Sequence, residues 1–164
     1  MMKLALHELL NVHVALRGHP IDYARSGALA LARAGHSSPV RSVTEHDGRS
    51  GHAQIEWLEH DPAILGAVDE HRLTEDGAEA VALAYTHAIG RWLVKRRLRR
   101  GEYADWLLQM EGRSLALEVS GTTTNDARGR LREKMEQVAH CTLPASRMAV
   151  VVGFVQPMIL AETV

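Results

Sequence analysis

The sequence predicts an α/β (α+β) fold with a central mixed β-sheet of about four or five strands flanked by helices. Two observations lead there. Segments of helical period alternate with segments of strand period, and from Thr74 onward they read helix, strand, strand, helix, strand, strand. The chain has 164 residues, 46% of them hydrophobic, which supplies one core without disulfides or structural metals. A single domain over 1–164 is expected, with an N-terminal helix and hairpin appendage over 1–72 and a core over 73–164.

Leu6, Leu9, Leu10, Val14 and Ala15 make a rough helical stripe, so Met2 to Arg17 is expected as a helix ended by Gly18 and Pro20. Ile21 to Ala34 follows as a second helix, stopped by Gly35. Val40 to Thr44 and His52 to Leu58 are rich in strand-forming residues and flank Asp47-Gly48 and Ser50-Gly51, which predicts a hairpin. Asp61-Pro62 opens a short helical stretch.

Thr74 is expected to cap a long helix, with Glu75 and Asp76 in its first turn and Ala78, Val81, Ala82, Tyr85, Ala88, Ile89 and Trp92 at helical spacing. The run Lys95-Arg96-Arg97-Leu98-Arg99-Arg100 would end that helix, where its dipole favours cations. Tyr103 to Met110 and Leu115 to Ser120 then read as two strands joined at Glu111-Gly112-Arg113. Ala127, Leu131, Met135 and Val138 mark a helix capped by Thr124, Asn125 or Asp126, and Met148 to Val155 and Met158 to Thr163 are the last strands.

Charge and composition narrow the function classes. Nineteen Lys and Arg stand against 20 Asp and Glu, so any nucleic-acid contact must be local. With aromatic residues at only 4%, a stacking platform for single strands is disfavoured. No apolar run approaches the roughly 20 residues of a membrane span. One cysteine, Cys141, and no apolar leader suggest the cytoplasm. The ten histidines form no metal motif: His7 and His13 are six apart, on different sides of a helix.

Chemistry concentrates in the second half. In Leu115 to Ser120 the alternation puts Leu115, Leu117 and Val119 on one face and Ala116, Glu118 and Ser120 on the other. Glu118 is thus an acid on an otherwise buried strand, and Asp105 is a second acid on the strand before it. Two carboxylates on paired strands suit a hard divalent cation, Mg2+ or Mn2+, which can activate water for phosphoryl chemistry.

This pattern resembles the PD-(D/E)xK nuclease superfamily, whose restriction-endonuclease-like core runs helix, three-stranded meander, helix, strand. The resemblance covers roughly Glu75 to Val155 and implies that Asp105 and Glu118 are metal ligands and catalytic acids. It departs in two places: no proline precedes Asp105, and Ser120 stands at the lysine position. Some members of that superfamily carry the lysine on the following helix, which makes Lys134 the candidate, with Gln137 one turn later. Glu75 or Glu79 of the preceding helix would add an acid, Glu79 as a third metal ligand. Lys95, Arg96, Arg97, Arg99 and Arg100 would then contact nucleic-acid phosphates. The Leu-Glu-Val-Ser-Gly stretch at 117–121 also resembles a group of small bacterial proteins, a likeness that implies no activity.

Blander readings of the same residues stay open. Asp105 and Glu118 also suit a solvent-facing edge, or a pair with an arginine such as Arg113 across the hairpin, Lys134 suits a lysine lying along a helix, and the basic run suits a solvated helix end. The alternative function is a catalytically inactive scaffold or interaction subunit of a larger bacterial assembly, such as a defence system, bound to a partner protein or a second copy. Loss of the lysine at Ser120 is the feature that favours it.

Overall fold

Every residue from Leu115 to Thr122 is buried, the mark of a central strand covered on both faces. The computed structural model describes residues 1–164 and builds eight strands around that segment. They are β1 (Met2–Ala5), β2 (Val40–His46), β3 (Arg49–Glu56), β4 (Leu93–Arg97), β5 (Trp106–Met110), β6 (Arg113–Thr122), β7 (Ser146–Gly153) and β8 (Met158–Thr163). One mixed sheet holds all of them in the order β1-β3-β2-β8-β7-β6-β5-β4. Pairs β1/β3, β2/β8 and β6/β7 are parallel, and the others are antiparallel. The fold class is the expected mixed α/β one, with eight strands where four or five were expected.

Four α-helices complete it: the single turn α1 (Leu9–Val12), α2 (Tyr23–Arg33), α3 (Glu70–Gly90) and α4 (Ala127–Ala139). α2 and α3 cover one face, where Leu31, Leu83, Trp106, Leu108, Leu117 and Val150 belong to the main core. Each such large side chain contributes about 1.5–3 kcal/mol by leaving water. α4 covers the other face, setting Leu131 and Val138 against Ala149, Val151 and Leu160. It is also the crossover that lets the neighbours β6 and β7 run parallel. No helix is long and apolar enough to cross a membrane.

Several expectations are corrected. Met2 to Arg17 is not one helix: Met2–Ala5 extends along β3, and only short helical turns follow. Leu4, Leu6 and Leu9 are all buried, a spacing that a strand running into a turn satisfies as well as a helix does. The long helix begins at Glu70, capped by Asp69, and Thr74 lies inside it, its hydroxyl donating to the Glu70 carbonyl. It ends at Gly90, with Arg91 left-handed (φ 58) and its N–H on the His87 carbonyl. The basic run is therefore no helix end. Leu93–Arg97 is an edge strand, paired with β5 and kinked between Val94 and Arg96.

With β4 present, the chain from Glu70 to Gly153 runs helix, three antiparallel strands, helix, strand. The strand expected from Tyr103 starts at Trp106, because Tyr103 has φ 60 and breaks the extended backbone. The β2/β3 hairpin joins the same sheet through β2 and β8, so the strands of the N-terminal segment are continuous with those of the core. The β5/β6 hairpin turns at Glu111 (φ 48) and Gly112 (φ 78), both residues in the conformation a tight two-residue hairpin needs.

Candidate functional site

The alternation along β6 holds: Leu115, Leu117 and Val119 enter the main core, while Ala116 packs on the opposite face with Leu98, Leu107 and Cys141. Glu118 shares that second face and is only 2% exposed. A bare carboxylate there would be costly, and Lys134 of α4 answers it, its Nζ donating to Glu118 Oε1 at 2.9 Å. The same ammonium donates to Gln137 Oε1 at 3.2 Å, one turn further along the helix. Glu118 Oε2 is buried with no hydrogen-bond partner.

Asp105 stands just before β5 and is tied to β6 on both flanks of Glu118. Its N–H donates to the Leu117 carbonyl at 2.9 Å, and its Oδ2 accepts from the Val119 N–H at 2.8 Å. Its other oxygen faces Arg97 of β4, whose Nη2 lies at 3.5 Å. Arg97 Nη1 donates to Glu79 Oε2 on α3 at 2.6 Å, and its guanidinium lies 4.8 Å over the Trp106 ring. One arginine thus bridges an acid of the helix and an acid of the sheet.

Gly121 explains how α3 comes so near. A Cβ at that position would stand 2.5 Å from the Thr74 carbonyl oxygen and 3.0 Å from the Ala78 Cβ, so only glycine lets the helix lie this close to the end of β6. Glu75 and Glu79, four apart, then share the helix face that meets the strand. Glu75 faces a polar cavity of about 270 Å³ lined by Arg33, His71, Thr123, Thr124 and Arg130 among others. Ser120, at the position where the resemblance expects lysine, accepts from Arg130 Nη1 at 3.1 Å.

The electrostatics are those of crowded, dehydrated acids. Burial pushes the Glu118 carboxyl up to about 7, Asp105 adds to the rise, and the Lys134 ammonium opposes it. Burial likewise lifts Glu79 to about 7, against the pull of Arg97 and with added repulsion from Asp105 and Asp76. Asp76 and Glu75 are also raised by burial. Asp76, Glu79, Asp105 and Glu118 are four carboxyl groups against the three cations Arg72, Arg97 and Lys134, a formal surplus of one negative charge when all are ionised.

Carboxylate oxygens are the donors that a hard divalent cation prefers, and the orphaned Glu118 Oε2 is a donor without a partner. The donor chemistry therefore fits Mg2+ or Mn2+. In this arrangement no three His, Cys, Asp or Glu side chains converge as a metal's ligands would. Arg97 pairs with both Glu79 and Asp105.

Asp105, Glu118, Lys134, Gln137 and Glu79 all fall in one place. The basic run divides: Arg96 forms a two-pronged pair with Glu102, Arg97 turns to the acids, and Lys95, Arg99 and Arg100 carry no ion pair. Arg113 pairs with neither acid and lies over the Trp92 ring. The sequence reading missed Arg97 as a counter-ion, Asp76 as a fourth acid and Arg130 beside Ser120. For Asp76 the signal was there, since it stands three residues before Glu79 on the same helix. No family model, curated protein or solved structure matches the chain.

Proposed function

We propose that this protein is a divergent, metal-dependent nuclease of the PD-(D/E)xK type, acting on nucleic-acid phosphodiesters with Mg2+ or Mn2+. The observation that carries the reading is the meeting of Glu118 and Lys134 at 2.9 Å, an acid and a lysine brought together from a strand and the following helix. The surplus negative charge and the unpartnered Glu118 Oε2 support it. So does the order of elements around them, with Asp105 immediately before the second strand of the meander and Glu118 on the third.

Asp105 and Glu118 would hold the ion, with Glu79 as a further ligand. A divalent ion bound there supplies Lewis-acid polarisation of the phosphoryl group and a more acidic water. The chain's own residues do the rest. The Val119 N–H and the Leu117 carbonyl tie Asp105 to β6 on both sides of Glu118. Lys134 favours the ionised form of Glu118, and its ammonium would donate a hydrogen bond to the phosphate or orient the attacking water. Lys95, Arg99 and Arg100, free of ion pairs, would contact neighbouring phosphates.

Calorimetric titration of Mg2+ and Mn2+ into the wild type and into Glu118→Gln tests this. Binding by the wild type that the variant loses is the expected result. Absence of binding by the folded wild type overturns the proposal and leaves the scaffold reading, in which the same fold serves a partner protein or a second copy.

A further inference from the structure

Arg97 does more than neutralise charge. It is the one cation in reach of both Glu79 and Asp105, at 2.6 and 3.5 Å, and it stands between the acid of the helix and the acid beside the sheet. It projects from an edge strand just after the irregularity between Val94 and Arg96, and its side chain is 43% exposed. Its guanidinium also has a second support within reach, the face of Trp106 at 4.8 Å. A side chain this exposed, on an edge strand and backed by an aromatic face, can give up its carboxylates without opening the core. Glu118, by contrast, is held by Lys134 of α4 and has Oε2 unpartnered, with no contact to Arg97.

From this geometry we infer that Arg97 is a positioning residue that competes with the divalent cation for Glu79 and Asp105. In the cation-free protein its guanidinium takes the ion's place and keeps the two carboxylates from repelling each other and Glu118. Loading of the site requires it to leave Glu79 and Asp105, and the acids then close on the ion. Cation affinity in this protein is therefore set by exchange with an arginine rather than by filling of a vacant cage. This inference rests on the proposed metal-dependent site and names what gates it.

The test is calorimetric titration of Mn2+ into the wild type, Arg97→Met, Arg97→Lys and Glu118→Gln, with circular dichroism confirming that each is folded. Arg97→Met keeps an apolar stem over Trp106 and removes the competing charge, so it should bind Mn2+ on the order of tenfold more tightly than the wild type. Arg97→Lys, a cation without the fork, should fall between them, and Glu118→Gln should not bind. Equal or weaker binding by Arg97→Met, with Glu118→Gln still inactive in binding, overturns the Arg97 inference and leaves the metal site standing. No binding by any of the four proteins overturns the metal site itself, and the competition with it.

A second readout needs no change at Arg97. In a Trp57→Phe, Trp92→Phe background, Mg2+ should change the Trp106 emission over the same concentrations that release heat, because the guanidinium above the ring moves. Heat without any change in Trp106 emission means that Arg97 stays where it is, and overturns the inference.

Discussion

Lys134 Nζ lies 2.9 Å from Glu118 Oε1 across the gap between α4 and β6, and it is the only side chain that pairs with this buried acid. Removing it leaves an uncompensated carboxyl group in the sheet. Lys134→Met should cost about 3 kcal/mol of stability at pH 8, where Glu118 has to ionise or take up a proton. The loss should shrink toward pH 5, where a protonated Glu118 no longer needs the ammonium. Urea melts of the two proteins at both pH values measure this.

If Lys134 is the relocated lysine, it should be possible to move it back. Ser120 occupies the position two residues after Glu118, beside Arg130. Lys134→Ala should abolish nicking, and adding Ser120→Lys should restore a measurable part of it. Single-turnover nicking assays on the wild type and both variants check the rescue, and an unrescued double variant that is folded contradicts the relocation.

Gly121 is the contact point between α3 and β6. Gly121→Ala puts a Cβ 2.5 Å from the Thr74 carbonyl oxygen, against backbone that cannot rotate away. The variant should lose about 1–3 kcal/mol in chemical denaturation through overpacking. It should also bind Mn2+ more weakly, since the helix that carries Glu79 must back away from the strand.

His13 is buried, its Nε2 within 3.2 Å of the Leu83 carbonyl and its Nδ1 accepting from the Val94 N–H, so α3 and β4 hold it neutral. Burial lowers it to about 4. A histidine depressed in the folded state contributes stability that is complete above its unfolded value of 6.5 and is lost as pH falls toward 4, because the unfolded chain takes the proton first. Glu79 and Glu118, raised to about 7, act in the opposite sense and lose stability as pH rises from 4.5 to 7. Comparing the wild type with His13→Gln isolates the histidine. The stability advantage of the wild type should shrink by about 3 kcal/mol between pH 7 and pH 4, measured by denaturant melts.

Much of the site was legible in the sequence, and for local reasons. The alternation from Leu115 to Ser120 put Glu118 on the face opposite the leucines because a strand has a period of two, and helix spacing placed Lys134 and Gln137 on one side of α4. What escaped depended on tertiary pairing. Lys95 to Arg100 suits a helix end by the dipole argument, and only pairing with β5 makes Leu93–Arg97 a strand. Met2–Ala5 is held as a strand by β3, some 50 residues away in sequence, which no local pattern could announce. The counter-ion role of Arg97 follows from the same misread segment, since an arginine at a helix end would not face Glu79 and Asp105.

The central claim is that Glu118 and its neighbours cut nucleic acid with a divalent cation. The most direct test incubates the wild type and Glu118→Gln with supercoiled plasmid, single-stranded DNA and RNA, in Mg2+, in Mn2+ and in chelator. The wild type should cleave at least one of these substrates with the ion and none in chelator, and the variant should be slower by at least about a hundredfold. Cleavage that survives Glu118→Gln unchanged, or a folded wild type that cuts none of the three with either ion, would contradict it.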